Sequence, residues 1–155
     1  MKTSRYFLTA LLAVLALAAV TTTVSASPPS GQTPSNLVIG RLAGPIEVDA
    51  DKIQFQTEHA TDVAMFTVTY APGGYSGWHT HPGMVFVVVT SGSVVRTVRC
   101  HAPRTYVAGQ SFVESDSQPA GEVRNASATA AAVLQVTQIV PNGSVRRVEA
   151  APPTC

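Results

Sequence analysis

The stretch of sequence that decides the fold is Ala71-Pro72-Gly73-Gly74-Tyr75-Ser76-Gly77-Trp78-His79-Thr80-His81-Pro82-Gly83. It opens with a turn signal, since glycines that follow a proline favour a turn in which one of them, Gly73 or Gly74, has a positive φ. His79 and His81 stand two residues apart. On a β-strand, residues at i and i+2 point to the same face, so both imidazoles are predicted to point the same way.

The rest of the chain follows the same strand chemistry. Apolar residues recur at a period of two, and Val, Thr and Ile dominate them, which is typical of β-strands. After the N-terminal region no helix of useful length is expected. Strands are predicted at residues 37–42, 53–57, 63–70, 84–90, 93–99, 110–114, 131–140 and 144–148. Eight short strands separated by turn signals indicate an all-β sandwich or closed barrel.

The N-terminal region has the layout of a secretory signal. Lys2 and Arg5 give it a positive start, residues 7–20 are almost entirely apolar, and Val24-Ser25-Ala26 offers small side chains for cleavage after Ala26. The alternative, a membrane anchor, is disfavoured because a spanning helix needs roughly 20 apolar residues. We therefore predict a signal peptide at 1–26, a flexible leader at 27–35 and one domain at 36–155. The protein is expected to be secreted, periplasmic or extracellular, without membrane attachment after cleavage.

Charge and cysteine content narrow the function classes. Removing Lys2 and Arg5 leaves 8 basic against 9 acidic residues, so the mature net charge is −1. No basic patch is visible, and nothing indicates nucleic-acid binding. The predicted signal directs the chain, with its two cysteines Cys100 and Cys155, to an oxidising compartment. An even number of cysteines there predicts a disulfide, the alternative being two free thiols.

Residues 71–92 resemble the first motif of the cupin family, which reads Gly, five residues, His-x-His, three or four residues, Glu, six residues, Gly. Gly73 stands at the required distance before His79-Thr80-His81, and Gly92 closes the motif. Residues 106–125 resemble an eroded second motif. The resemblance covers residues 63–138 and implies a double-sheet jelly roll, also described as a double-stranded β-helix barrel.

The metal site that the resemblance implies is interrupted in this sequence. In the family, a Glu of the first motif and a His of the second complete the ligand set begun by His79 and His81. Here the Glu position holds Val85 or Phe86, and no histidine occurs after His101. Two imidazoles alone make half of a divalent metal site. The sequence therefore predicts an incomplete site that holds one divalent transition metal weakly.

Glu114 is the candidate for a third ligand. It ends a predicted strand and shares a face with Phe112. If that face is turned inward, His79, His81 and Glu114 form a two-histidine, one-carboxylate arrangement. The alternative is a solvated glutamate at a strand end, which is the common fate of such residues.

Two functions follow from this pattern. The missing ligands favour a binding module that holds a small ligand or a weakly bound metal. The alternative is a metal-dependent enzyme, oxygenase-like, that uses His79 and His81 with an atypical third ligand. An isomerase with a histidine as metal-free base is a third hypothesis, without a visible acid partner. The ligand, the metal and the formation of a homodimer stay open.

Overall fold

The computed structural model describes residues 25–155. The predicted signal peptide lies almost wholly outside the described residues, and its cleavage stays a prediction. Twelve strands and no helix run through the described part. They are β1 (Ser30–Leu42), β2 (Ile46–Ala50), β3 (Ile53–Thr57), β4 (Thr61–Tyr75), β5 (His79–Thr80), β6 (Met84–Ser91), β7 (Ser93–Val98), β8 (Arg104–Val107), β9 (Ser111–Ser115), β10 (Gly121–Asn125), β11 (Ala132–Pro141) and β12 (Val148–Glu149).

Ten of these strands form one sheet that folds over into a nearly closed barrel. One half has the order β1-β4-β11-β6-β9, and the other contains β12-β5-β10 with β7 and β8 beside β10. The halves meet where Tyr75 of β4 pairs with Arg124 of β10. A separate hairpin joins β2 to β3. This is the predicted all-β double-stranded β-helix, and the fold prediction is confirmed.

Alternating burial along the strands builds the core. On β6, Val85, Val87 and Val89 are buried while their neighbours are exposed. The same period of two runs along β11, whose inward residues include Leu134 and Val136. Side chains from both halves of the sheet meet in one apolar cluster. Period-two hydrophobicity is therefore the physical basis of the barrel.

The predicted strands agree best with the observed strands in the centre of the sheet. The short strands β2, β5, β8 and β10 were not predicted, and of the strand expected at 144–148 only its last residue lies in β12. β10 carries Glu122 and Arg124 between its buried residues and pairs with β7 over five residues. Its pairing depends on the partner strand, because its own sequence has little β-propensity.

The flexible leader predicted at 27–35 is wrong from residue 30 onward. β1 begins at Ser30 and pairs with β4 along most of its length. Pro34 is tolerated because β1 pairs on one side only, as an edge strand. Register shifts between Ser30 and Gln32 and between Ser35 and Val38 absorb the irregular sequence. Pairing with the long strand β4 thus makes residues 30–35 a strand, although their own sequence has little strand propensity.

The predicted disulfide is present. Cys100 and Cys155 are bonded, with their Cα atoms 5.5 Å apart. The bond ties the C-terminal segment to the loop after β7, and this segment runs past the histidines described below. Within residues 25–155 there is also no helix with the length and apolar character needed to cross a membrane.

The turn predicted at residues 71–74 is wrong, because Gly73 and Gly74 both lie within β4. The strand uses its two glycines differently. Gly73 has φ +68°, as predicted for one of the pair. Gly74 does not, yet a Cβ there would stand 2.6 Å from the backbone oxygen of Gly31. The first glycine therefore supplies a left-handed conformation, and the second allows β1 to approach closely.

Candidate metal centre

Three titratable side chains converge inside the barrel. His79 lies on β5, His81 follows it, and Glu114 lies on β9. All three are buried, with exposed fractions of 7, 7 and 8%. Their ligand atoms lie within 4.8 Å of one another. The imidazoles point into the barrel together, as strand alternation predicted, and Glu114 joins them.

Strand register explains why Glu114 points inward. On β9, Phe112 and Glu114 are buried while the residues between and before them are exposed. β9 pairs with β6 so that Glu114 stands directly opposite Val85. Directly opposed residues share a face of the sheet. The carboxylate that the first motif lacks at Val85 is thus offered from the facing position on the next strand, and Glu114 is not a solvated strand end.

Backbone carbonyls fix the tautomer of both histidines. Nδ1 of His79 lies 2.9 Å from the oxygen of Gly77, and Nδ1 of His81 lies 2.6 Å from the oxygen of Arg146. A carbonyl oxygen only accepts, so each Nδ1 carries the hydrogen and donates it. Each neutral ring then keeps its lone pair on Nε2. A carbonyl partner on the other ring nitrogen is the arrangement that orients metal-ligating histidines.

The contact between His81 and Glu114 brings two acceptor atoms together. Nε2 of His81 stands 3.3 Å from Oε2 of Glu114. With Nδ1 protonated, both atoms are acceptors, and Nε2 is a buried nitrogen without a hydrogen-bond partner among the described residues. The second carboxylate oxygen, Oε1, accepts a hydrogen bond from Nε of Arg96 at 3.0 Å. A proton or metal ion between the two acceptors would satisfy them, so the donor set fits a metal.

The protonation states suit this assignment. Burial, together with the positive charge of Arg147, lowers the pKa of His79 to about 4. Burial raises the pKa of Glu114, but a hydrogen bond from His81 and the charges of His79 and His81 when these rings are protonated, followed by the charge of Arg96, bring it down to about 2. At neutral pH the site therefore offers a neutral imidazole and a carboxylate, the forms in which these groups bind metals.

Gly121 lies at the site. Counting back from Asn125, the second-motif spacing places the missing histidine at Gly121, and a shifted count places it at Ala120 or Arg124. Gly121 pairs directly with His79 across β10 and β5, and a Cβ on it would stand 3.9 Å from Oε1 of Glu114. This position therefore adjoins the cluster but adds no side chain to it.

The other two histidines of the described residues lie outside the cluster, since His59 and His101 are exposed. Gln118, in the loop after β9, accepts a hydrogen bond from Nη2 of Arg96 at 2.8 Å. Arg96 and the carbonyl of Arg146 were missed by sequence reasoning. Arg96 occupies an ordinary strand position, and a carbonyl carries no sequence signal, so only register and chain path bring them to the site.

The cluster lies at the polar end of a cavity of about 440 Å³. Around the histidines this end contains Tyr70, Gln138 and Arg147. The rest of the lining is mostly apolar, and we call it the apolar wall. Its members are Phe66, Val68, Val85, Val87, Phe112, Val123, Leu134 and Val136. A mainly apolar cavity with a few convergent polar groups is the usual form of a small-molecule site.

The sequence matches one family model. Residues 66–137 match the model described as "Cupin domain". This segment contains both histidines and Glu114. No curated protein matches the chain significantly.

The chain is also similar to solved structures at low identity. An oxalate oxidase in complex with glycolate is 24% identical, with a TM-score of 0.47 over 56% of this chain and 45% of its own. The chain thus spans less than half of that protein. A double-stranded β-helix protein from Klebsiella pneumoniae is 16% identical over 69% of this chain and 84% of its own, with a TM-score of 0.49. The cupin domain of Schizosaccharomyces pombe Cnp3 is 11% identical over 62% of this chain and 59% of its own, with a TM-score of 0.46.

Proposed function

We propose that this chain, whose residues 66–137 match the cupin-domain model, is a cupin that binds one divalent transition metal through His79, His81 and Glu114. In this proposal it also coordinates a small ligand in the adjoining cavity. The observation that carries the proposal is the 3.3 Å contact between Nε2 of His81 and Oε2 of Glu114, with Nδ1 of His81 directed to the oxygen of Arg146 instead. When bound, a metal supplies a Lewis acid with positions left for water or ligand.

The residues around the ligands have separate tasks in this proposal. The carbonyls of Gly77 and Arg146 hold the two imidazoles in orientation. Arg96 occupies one oxygen of Glu114 and leaves the other directed at His81. Since Gly121 adds no fourth ligand, affinity should be lower than in a closed four-ligand site. Secretion is part of the proposal, and the disulfide supports it.

The test is metal content after extensive chelation, followed by titration with zinc, iron, nickel and copper. We expect one ion per chain, bound by the wild type and not by His79→Ala. Glu114→Gln keeps the shape of the side chain but loses its charge, and should weaken binding by about 10–100-fold. Glu122→Gln is the matched control, because Glu122 pairs with Arg124 at the surface. Absence of stoichiometric binding, or equal binding by all variants, would contradict the proposal.

A metal-dependent enzyme of the oxygenase type is the second candidate. It is favoured by the two-histidine, one-carboxylate set at the end of a cavity, since such sets leave coordination positions for substrate and oxygen. The readout is oxygen uptake by iron(II)-loaded protein with and without added ligand, compared with the Glu114→Gln variant at equal iron. Oxygen uptake no greater than in that variant would contradict the enzyme function and leave metal and ligand binding as the function.

A further inference from the structure

Two glutamine side chains of the cavity have amide oxygens without a hydrogen-bond donor. Oε1 of Gln138 and Oε1 of Gln32 are both buried and unpartnered among the described residues, and both residues line the cavity. Gln138 is only 4% exposed. A buried acceptor left unsatisfied destabilises the folded protein. A ligand that donates hydrogen bonds would remove this cost.

The strands direct both amides inward. On β11, buried residues alternate as Leu134, Val136, Gln138 and Val140, so Gln138 continues the row that forms the apolar wall. Its Nε2 donates to the oxygen of Arg146 at 3.4 Å. With Nε2 on the side of Arg146, Oε1 is the atom of the amide that has no donor. Gln32 stands directly opposite Tyr70, on the same face of the sheet.

The charged groups beside the histidines are only partly paired. Arg96 holds Oε1 of Glu114, and Arg147 donates from Nη2 to Oε2 of Glu149 at 2.8 Å. Oε2 of Glu114 faces only Nε2 of His81, and Arg146 also lines the cavity. A carboxylate in the ligand would bring only further acceptors to Oε1 of Gln138 and Oε2 of Glu114, and would lose its hydration on entry. The polar end therefore favours a donor over an acceptor in the ligand.

We propose that the cavity binds a mainly apolar molecule that carries a hydroxyl group, with the hydroxyl donating to Oε1 of Gln138 and the apolar body against the wall. A hydroxyl is a small donor without charge, and it would lie beside His81, whose Nδ1 is 3.3 Å from Nε2 of Gln138. This inference deepens the proposed function by naming the ligand class, and it rests on that function for the role of the cavity.

The experiment measures calorimetric binding of three ligands of similar shape to chelator-treated, metal-free protein. They are 4-ethylphenol, ethylbenzene and 4-ethylbenzoate. We expect 4-ethylphenol to bind about tenfold more tightly than ethylbenzene, which corresponds to one net hydrogen bond, and 4-ethylbenzoate to bind most weakly. Equal affinities, tightest binding of the benzoate, or no binding of any of the three would overturn the inference.

Variants of two glutamines on β11 locate the effect. Gln138→Leu should remove the preference for the phenol over ethylbenzene, and Gln138→Met, measured alongside, gives the same readout with a more flexible side chain. Gln135→Leu is the matched control, because the Gln135 amide is bonded to Phe66 and Thr67 and should leave the preference intact. A preference that survives in folded Gln138 variants refutes the assignment. Because metal is absent throughout, failure of the proposed metal site would not change these results.

Discussion

The apolar wall and the polar end of the cavity are built on the same strands. β9 supplies Phe112 to the wall and, two residues later, Glu114 to the metal centre; β11 supplies Val136 and then Gln138. Both members of each pair face inward by the same alternation. The regions differ in what holds them, since the wall is held by packing within the sheet and the polar end by partners from elsewhere in the chain.

This difference indicates how each region should respond to change. A wall residue contributes buried apolar area, and its loss is felt as stability. The histidines depend on the carbonyls of Gly77 and Arg146, and Glu114 depends on Arg96. Loss of a polar-end group should therefore alter protonation and metal binding more than packing. The predictions below test this separation, from the largest expected effect to the smallest.

Leu134→Ala should break the wall and leave the metal centre working. Leu134 is 2% exposed, and removing a buried leucine side chain leaves a cavity that costs about 3–4 kcal/mol. Denaturant unfolding measures the loss, and metal titration of the folded variant should stay within about twofold of wild type. Leu37→Ala, at a leucine that is 49% exposed, is the control and should cost much less. A large loss of metal affinity in folded Leu134→Ala would show that the two regions are not separable.

Acid should act on the polar end. The pKa of His79 is about 6.5 in the unfolded chain and about 4 in the folded protein. The unfolded state therefore takes up the proton first as the pH falls. The contribution of His79 to the free energy of unfolding is fully present above pH 6.5 and is lost as the pH drops towards 4. The loss from this group is up to about 3 kcal/mol. Glu114, with a pKa of about 2, should extend the loss below pH 4.5. Unfolding of metal-free protein at pH 7, 5.5 and 4 checks this, and His79→Gln should show a shallower dependence.

Gly73→Ala tests the end of β4 that leads into the histidine segment. Gly73 has φ +68°, and a Cβ there meets nothing within 4 Å. The cost is then conformational alone, about 1 kcal/mol. Gly40→Ala is the matched control, because its site is equally open and no positive φ is required. If denaturant unfolding gives both variants the same stability as wild type, this end of β4 does not need the left-handed conformation.

Prediction from the sequence succeeded where local pattern and fold agree. The period-two strands 63–70, 84–90 and 131–140 were found because each carries alternating apolar residues long enough to cross the core. The leader was mistaken for a flexible segment, since residues 30–35 have a composition typical of loops and gain their strand pairing from β4. β10 was missed for the same reason. Propensity describes what a segment prefers alone, and pairing with a partner strand overrides it.

The sequence by itself determined the barrel, the inward pair His79 and His81, and a positive φ at either Gly73 or Gly74, because each follows from residues close together in the chain. It left Glu114 open between a ligand and a solvated side chain, since that depended on a pairing register. Only the tertiary structure placed Glu114 opposite Val85, brought Arg96 onto its carboxylate, and set the carbonyl of Arg146 against His81. These contacts join residues 18 to 65 positions apart. Pairing registers and chain path decide them, and neither is written in any local stretch of sequence.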